Sequence, residues 1–133
     1  MDLCDLPLTL EQLDLSRNLL SHMAVANLCK LPLLEIVNFS NNRILSMSAN
    51  WAPGNSLRVL ILAQNKIQKV ESLENLKMLQ SYASFAVLSI NFFIVRSLDL
   101  TQNHIPSIDN LKQLSVTHVK KLMLKNNPVA RYN

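Results

Sequence analysis

Residues 10–20 read Leu10-Glu11-Gln12-Leu13-Asp14-Leu15-Ser16-Arg17-Asn18-Leu19-Leu20, and their spacing returns four more times along the 133-residue chain. The later copies are Leu34…Val37…Phe39…Asn42…Ile44, Leu57…Leu60…Leu62…Asn65…Ile67, Val95…Leu98…Leu100…Asn103…Ile105 and Val119…Leu122…Leu124…Asn127…Val129. The shared pattern is L-x-x-L-x-L-x-x-N-x-L, with no polar residue in any apolar slot and Asn always at the ninth place. The L-x-L centre alternates with period two, which sends its apolar residues to one side of a strand and the intervening residues to the other. A sharp turn must follow, and the Asn there carries both donor and acceptor groups for backbone N–H and C=O groups that burial would leave unpaired. Asn18, Asn42, Asn65, Asn103 and Asn127 therefore read as a structural ladder and not as ligand contacts. Losing one such partner costs about 1–3 kcal/mol.

A strand plus a return segment, recurring in tandem, resembles the leucine-rich-repeat signature. The resemblance implies an α/β solenoid with a curved parallel β-sheet on its concave face and short helical or 3₁₀ turns on its convex face. Strands are expected near 12–16, 36–40, 59–63, 97–101 and 121–125, within a single domain covering 1–133. The return segment is clearest after Asn65, where Ile67, Val70, Leu73, Leu76 and Leu79 follow at three-residue intervals. Asn103, Ile105, Ile108, Leu111 and Leu114 repeat that spacing, which resembles the 22-residue repeat class typified by a regulatory subunit of protein phosphatase 1. Three-residue spacing suits short helical or 3₁₀ turns whose i and i+3 side chains eclipse toward the core.

The Asn-to-Asn intervals are 24, 23, 38 and 24 residues, so one repeat is too long. Deleting Tyr82–Ser97, the segment YASFAVLSINFFIVRS, restores the motif and a 22-residue period. That segment is mostly apolar, holds Phe85, Phe92 and Phe93, and has Arg96 as its only charge. It is shorter than the roughly 18 apolar residues of a membrane span and lies too late for a signal peptide. The reading adopted is an insertion into a normal repeat, consistent with alternative splicing; the other is a hydrophobic protrusion that docks a partner. Both ends are expected to lack caps, since Leu3 and Leu6 resemble the return segment of a preceding repeat and related chains leave the solenoid at a motif like Asn127-Pro128. The chain thus reads as a fragment or short isoform of a longer protein.

Composition adds bounds. Hydrophobic residues make up 49% of the chain, including 26 leucines, yet there is one glycine. Scarce glycine fits turns built by Asn, which tolerates unusual backbone angles. Cys4 and Cys29 are isolated thiols without metal spacing or a disulfide framework, so the setting is expected to be cytoplasmic or nuclear. Neither a membrane nor a metal partner is expected, and no cofactor.

Catalysis finds no support. His22, His104 and His118 fall in different repeats, acids are few and dispersed, and no Gly-rich phosphate loop, H-E-x-x-H or nucleophile elbow occurs. What the pattern does offer is a face. The outward strand positions and their flanks place Glu11, Asp14, Ile36, Asn38, Arg58, Val59, Ile61, Asp99, Lys121, Met123 and Lys125 on the concave side, the surface that repeat proteins commonly use for binding. Its character runs from acidic through apolar to basic. Residues 1–57 hold five acids and three bases, net −2, whereas 58–133 hold four acids and ten bases, net +6. Outward Ile36, Val59 and Ile61 form an apolar patch flanked by polar residues, which is the anatomy of an interface.

The expected function is a non-catalytic scaffold that binds another protein on this face. The alternative is a ribonucleoprotein-associated module contacting RNA through Lys120, Lys121 and Lys125, encouraged by an isoelectric point near 9.3. Aromatic residues are only 5% of the chain and do not interleave with those lysines, so no base-stacking platform accompanies them. The repeat-class resemblance implies systems as different as phosphatase-1 regulation, tubulin folding, axonemal assembly and the spliceosome, and one fold serves many unrelated partners.

Overall fold

The computed structural model describes residues 6–21, 31–46, 56–69, 96–109, 111 and 119–131. Within them each copy of the motif contributes one three-residue strand: β1 (Gln12–Asp14), β2 (Ile36–Asn38), β3 (Val59–Ile61), β4 (Ser97–Asp99) and β5 (Lys121–Met123). They form a single parallel sheet in the order β1-β2-β3-β4-β5, the arrangement of a leucine-rich-repeat solenoid. A 3₁₀ turn follows at Pro128–Arg131.

Register follows the motif. Leu13 pairs with Val37, Val37 with Leu60, Leu60 with Leu98, and Leu98 with Leu122. Every strand thereby adds its central apolar residue to one inner row, and the L-x-L partner two residues on adds to a second. Val37, Leu60 and Leu98 are at most 1% exposed, as are Leu62 and Leu100, and Phe39 is also buried. Ile44, Ile67 and Ile105, two residues past the ladder Asn, close the core from the turn side. Full burial of one such side chain contributes about 1.5–3 kcal/mol.

The long interval between the third and fourth copies does not interrupt the sheet, because β3 pairs directly with β4. Arg96 and Ser97 already belong to the ladder: both backbone N–H groups donate to the Arg58 carbonyl, at 2.8 and 3.2 Å. The excess segment expected at 82–97 therefore yields its last two residues to the sheet, and its remainder, 82–95, lies outside the described residues. Val70, Leu73, Leu76, Leu79, Leu114 and both cysteines lie outside them too.

The turn after each strand differs from expectation in one respect. The left-handed residue is the one before the ladder Asn: Arg17, Asn41, Gln64, Gln102 and Asn126 have φ between 55 and 61°. Only two of these five are Asn, so scarce glycine is not explained by Asn alone. The reason for the conformation is in the ladder itself. In the first four copies the N–H of the turning residue donates to the next repeat, Arg17 to Ser40, Asn41 to Ala63, Gln64 to Thr101 and Gln102 to Lys125, at 2.8–3.0 Å. What all five turns share is the ladder Asn, whose Nδ2 donates to the carbonyl three residues back; the positive φ that goes with it costs a non-glycine residue about 1–2 kcal/mol.

A second departure concerns Ile108, expected to face the core at the i+3 spacing but 73% exposed. It lines an open surface pocket with Pro106, Ser107, Asp109 and Val129, the last from the turn Pro128–Arg131. Leu111 does pack against the core.

Candidate protein-binding face

The ladder Asn residues are tied up in the fold. Asn65 is 5% exposed; its Nδ2 donates to the Phe39 carbonyl of the preceding repeat and to Leu62 in its own, both at 3.0 Å. Its Oδ1 accepts the Ile44 N–H at 3.0 Å. Asn42, Asn103 and Asn127 repeat this bridge, accepting from Leu20, Ile67 and Ile105 and donating back to Leu15, Leu62 and Leu100. Asn18 differs. It is exposed, and among the described residues its Nδ2 reaches only Leu15 and Ser16 of its own turn, each at 3.0 Å.

Pro128 alters the last rung. In the three preceding repeats the residue after the ladder Asn (Arg43, Lys66, His104) donates its N–H back to Leu20, Ile44 and Ile67. Proline has no N–H to donate. Val129 supplies that bond instead, to Ile105 at 3.0 Å.

The outward strand residues form the other face of the sheet. Register sets Gln12, Ile36, Val59, Ser97 and Lys121 in one row and Asp14, Asn38, Ile61, Asp99 and Met123 in a second. Ile36 and Val59 are direct neighbours, and Ile61 lies between Asn38 and Asp99. All three apolar side chains are half-buried, like Met123, while Lys121 and Lys125 are exposed. Glu11 is exposed and Arg58 half-buried, both immediately upstream of their strands.

Three residues expected to contact a partner also hold the fold. Asp14, Asn38 and Asp99 each accept the N–H of the residue two places on, at 2.8, 3.0 and 2.9 Å, through Oδ1. This is an Asx turn that ends the strand. Asp14 Oδ2 also accepts from Asn38 Nδ2 at 3.4 Å. Hydrogen bonds from Ser16 hold the Asp14 carboxyl below the usual carboxylate range, assisted by Asn38 and the Arg17 charge. The signal was present in the sequence as Asp-x-Ser, Asn-x-Ser and Asp-x-Thr, and Ile61 and Met123 show where it is missing. These two strands end without the side-chain acceptor, which leaves apolar side chains at that position.

A leucine-rich repeat is present at residues 9–31. That stretch contains β1 and its Asn18 turn and ends before the second copy of the motif at Leu34, and it supports a leucine-rich-repeat protein. No curated protein matches the chain. Leucine-rich repeats commonly mediate protein–protein contacts and are typically non-catalytic. Among the described residues no group of three or more His, Cys, Asp or Glu could hold a metal ion. Among them, too, no helix is long and apolar enough to cross a membrane. His104 is exposed beside the ladder turn, its N–H bonded to Ile67; His22 and His118 lie outside the described residues.

Proposed function

We propose that this chain is a non-catalytic interaction module that grips another protein with the outer face of its sheet. The observation that carries the reading is the half-buried apolar centre, Ile36, Val59 and Ile61, on adjacent strands β2 and β3. Parallel sheets ordinarily have both faces covered. Here the inner rows of β2, β3 and β4 are closed to solvent while the outer rows keep Ile and Val partly open. Covering such a patch removes apolar area from water and drives association.

We keep the 22-residue class as the reading of the return segment, on the three-residue spacing of Ile67, Val70, Leu73, Leu76 and Leu79, while paired strands of consecutive described repeats recur at 24, 23 and 24 residues outside the long interval. On this reading the Tyr82–Ser97 excess is an insertion of the kind that alternative splicing produces, and the setting is cytoplasmic or nuclear. The basic residues of the fifth repeat supply charge beside the apolar centre and do not require RNA as the ligand.

Substituting Ile61→Arg tests the assignment. The substituted side chain is on the outer face, so the fold should persist by circular dichroism. Proteins recovered by affinity purification with the wild-type chain should be lost or depleted with the variant, for a weakening of about 1–3 kcal/mol. A folded variant that retains the same proteins would remove Ile61 from the interface.

A further inference from the structure

Directly upstream of the five strands lie Glu11, Glu35, Arg58, Arg96 and Lys120. They are stacked in ladder order, for Glu35 N–H donates to Glu11, Arg58 to Glu35, Arg96 to Arg58 and Lys120 to Arg96, at 2.8–3.0 Å. Neighbouring strands are about 4.8 Å apart, so this row crosses the whole sheet in about 19 Å. It therefore reads acid, acid, base, base, base. Glu11, Glu35, Arg96 and Lys120 are exposed. Like charges stacked on adjacent strands repel one another, and Lys121 and Lys125 add two more exposed cations on and just past β5.

We propose that this row orients the partner: it binds an acidic, amphipathic protein segment that lies across the strands. The segment's carboxylates sit over Arg96 and Lys120, its apolar side rests on Ile36, Val59 and Ile61, and its far end is neutral or basic over Glu11 and Glu35. This rests on the outer face being the binding face, and adds the partner's chemistry and direction. A span of about 19 Å corresponds to roughly 13 helical residues or six extended ones. Carboxylates interleaved with the stacked cations replace repulsion by attraction, and opposite potentials facing each other set register. A protein segment fits better than a nucleic acid. A phosphate backbone is uniformly negative, and beyond β3 it would run onto Glu35, Glu11 and Asp14. No aromatic side chain stands in the row or in the outward strand rows to stack a base.

The test is selection from a displayed library of random 15-residue peptides on the full chain. The binders are then measured against Arg96→Glu/Lys120→Glu, the milder Arg96→Gln/Lys120→Gln, and Ile61→Arg, each checked for folding by circular dichroism. Acid-rich apolar peptides whose affinity falls at least tenfold with the reversal and with Ile61→Arg, and by less with the glutamine pair, are expected. Peptides lost with Ile61→Arg but lacking acidic residues, or indifferent to the reversal, would overturn the orientation while leaving the binding face standing. Peptides indifferent to Ile61→Arg would overturn both. Two companion measurements assign other occupants: single-stranded RNA binding, or self-association in sedimentation, that the reversal abolishes would overturn the peptide reading in favour of RNA or a second copy.

Discussion

Leu60 and Leu122 fill the same slot of the same motif, yet Leu60 is 1% exposed and Leu122 is 38% exposed. Asn65 and Asn18 make the same contrast on the turn side, one buried and bridging two repeats, the other exposed and, among the described residues, bonded only within its own turn. Motif position alone therefore does not set how much a residue contributes. In a stack each repeat contacts only its neighbours, and a residue in the third repeat has a described repeat on either side of it. Identical letters in the first and fifth copies are covered from one side among the described residues. The second, third and fourth repeats thus concentrate the stability, and the second and third also carry the three apolar outer-face residues, Ile36, Val59 and Ile61.

The largest expected effect sharpens that contrast. Leu60→Ala should destabilise by about 2–5 kcal/mol, the range for emptying a closed core site. Leu122→Ala should cost about 1 kcal/mol, since much less apolar area is withdrawn from water there. Urea denaturation of the two variants measures the difference, and equal losses would break the nearest-neighbour account. Next comes the ladder. Asn65→Ala leaves the buried Ile44 N–H without its acceptor, while the Phe39 and Leu62 carbonyls keep the Asn42 and Asn103 amides, for about 1–3 kcal/mol. Asn18→Ala should cost below about 1 kcal/mol, because water reaches the groups it frees.

A smaller effect has the opposite sign. Gln64→Gly removes the steric penalty of φ 57°, and should stabilise by up to about 1 kcal/mol once glycine's greater unfolded-state entropy is set against it. Destabilisation of the folded chain would show that the Gln64 side chain contributes packing as well. The smallest effect is electrostatic. The Asp14 carboxyl is held below its ordinary pKa, so its contribution is complete above the usual carboxylate range and is lost as pH falls through the folded value. Asp14→Asn should flatten the acid side of the stability–pH curve slightly, and a change near neutral pH would contradict the assignment.

Much of this was legible before any coordinates. Five apolar triplets at matching offsets locate the sheet, and an Asn beyond each marks the turn, because period-two alternation and an obligatory donor-acceptor pair are local properties of sequence. What was not legible depended on neighbours. The left-handed position before each Asn is filled by Arg, Asn or Gln, residues with no shared turn signal, and goes with the ladder Asn that follows it. Ile108 has the spacing of a core residue yet is exposed, beside an open pocket it shares with Val129. Asp14, Asn38 and Asp99 looked free for a partner, yet each uses an oxygen to finish its strand. On the outer face this leaves the apolar side chains and the exposed charges Glu11, Glu35, Arg96 and Lys120 for a partner, while Arg58 is half-buried and donates to the Leu57 carbonyl.

The protein-binding face is tested most directly by placing a photo-crosslinking amino acid at Ile61, Val59 or Ile36 and, for comparison, at Leu19. Leu19 is 73% exposed but sits on the turn, away from the outer rows. Irradiation of cells expressing the full chain should give a shared protein adduct of one mass from positions 36, 59 and 61, and none of that mass from position 19. Adducts of equal yield from all four positions, or from position 19 alone, would contradict the assignment of the outer sheet face as the binding surface.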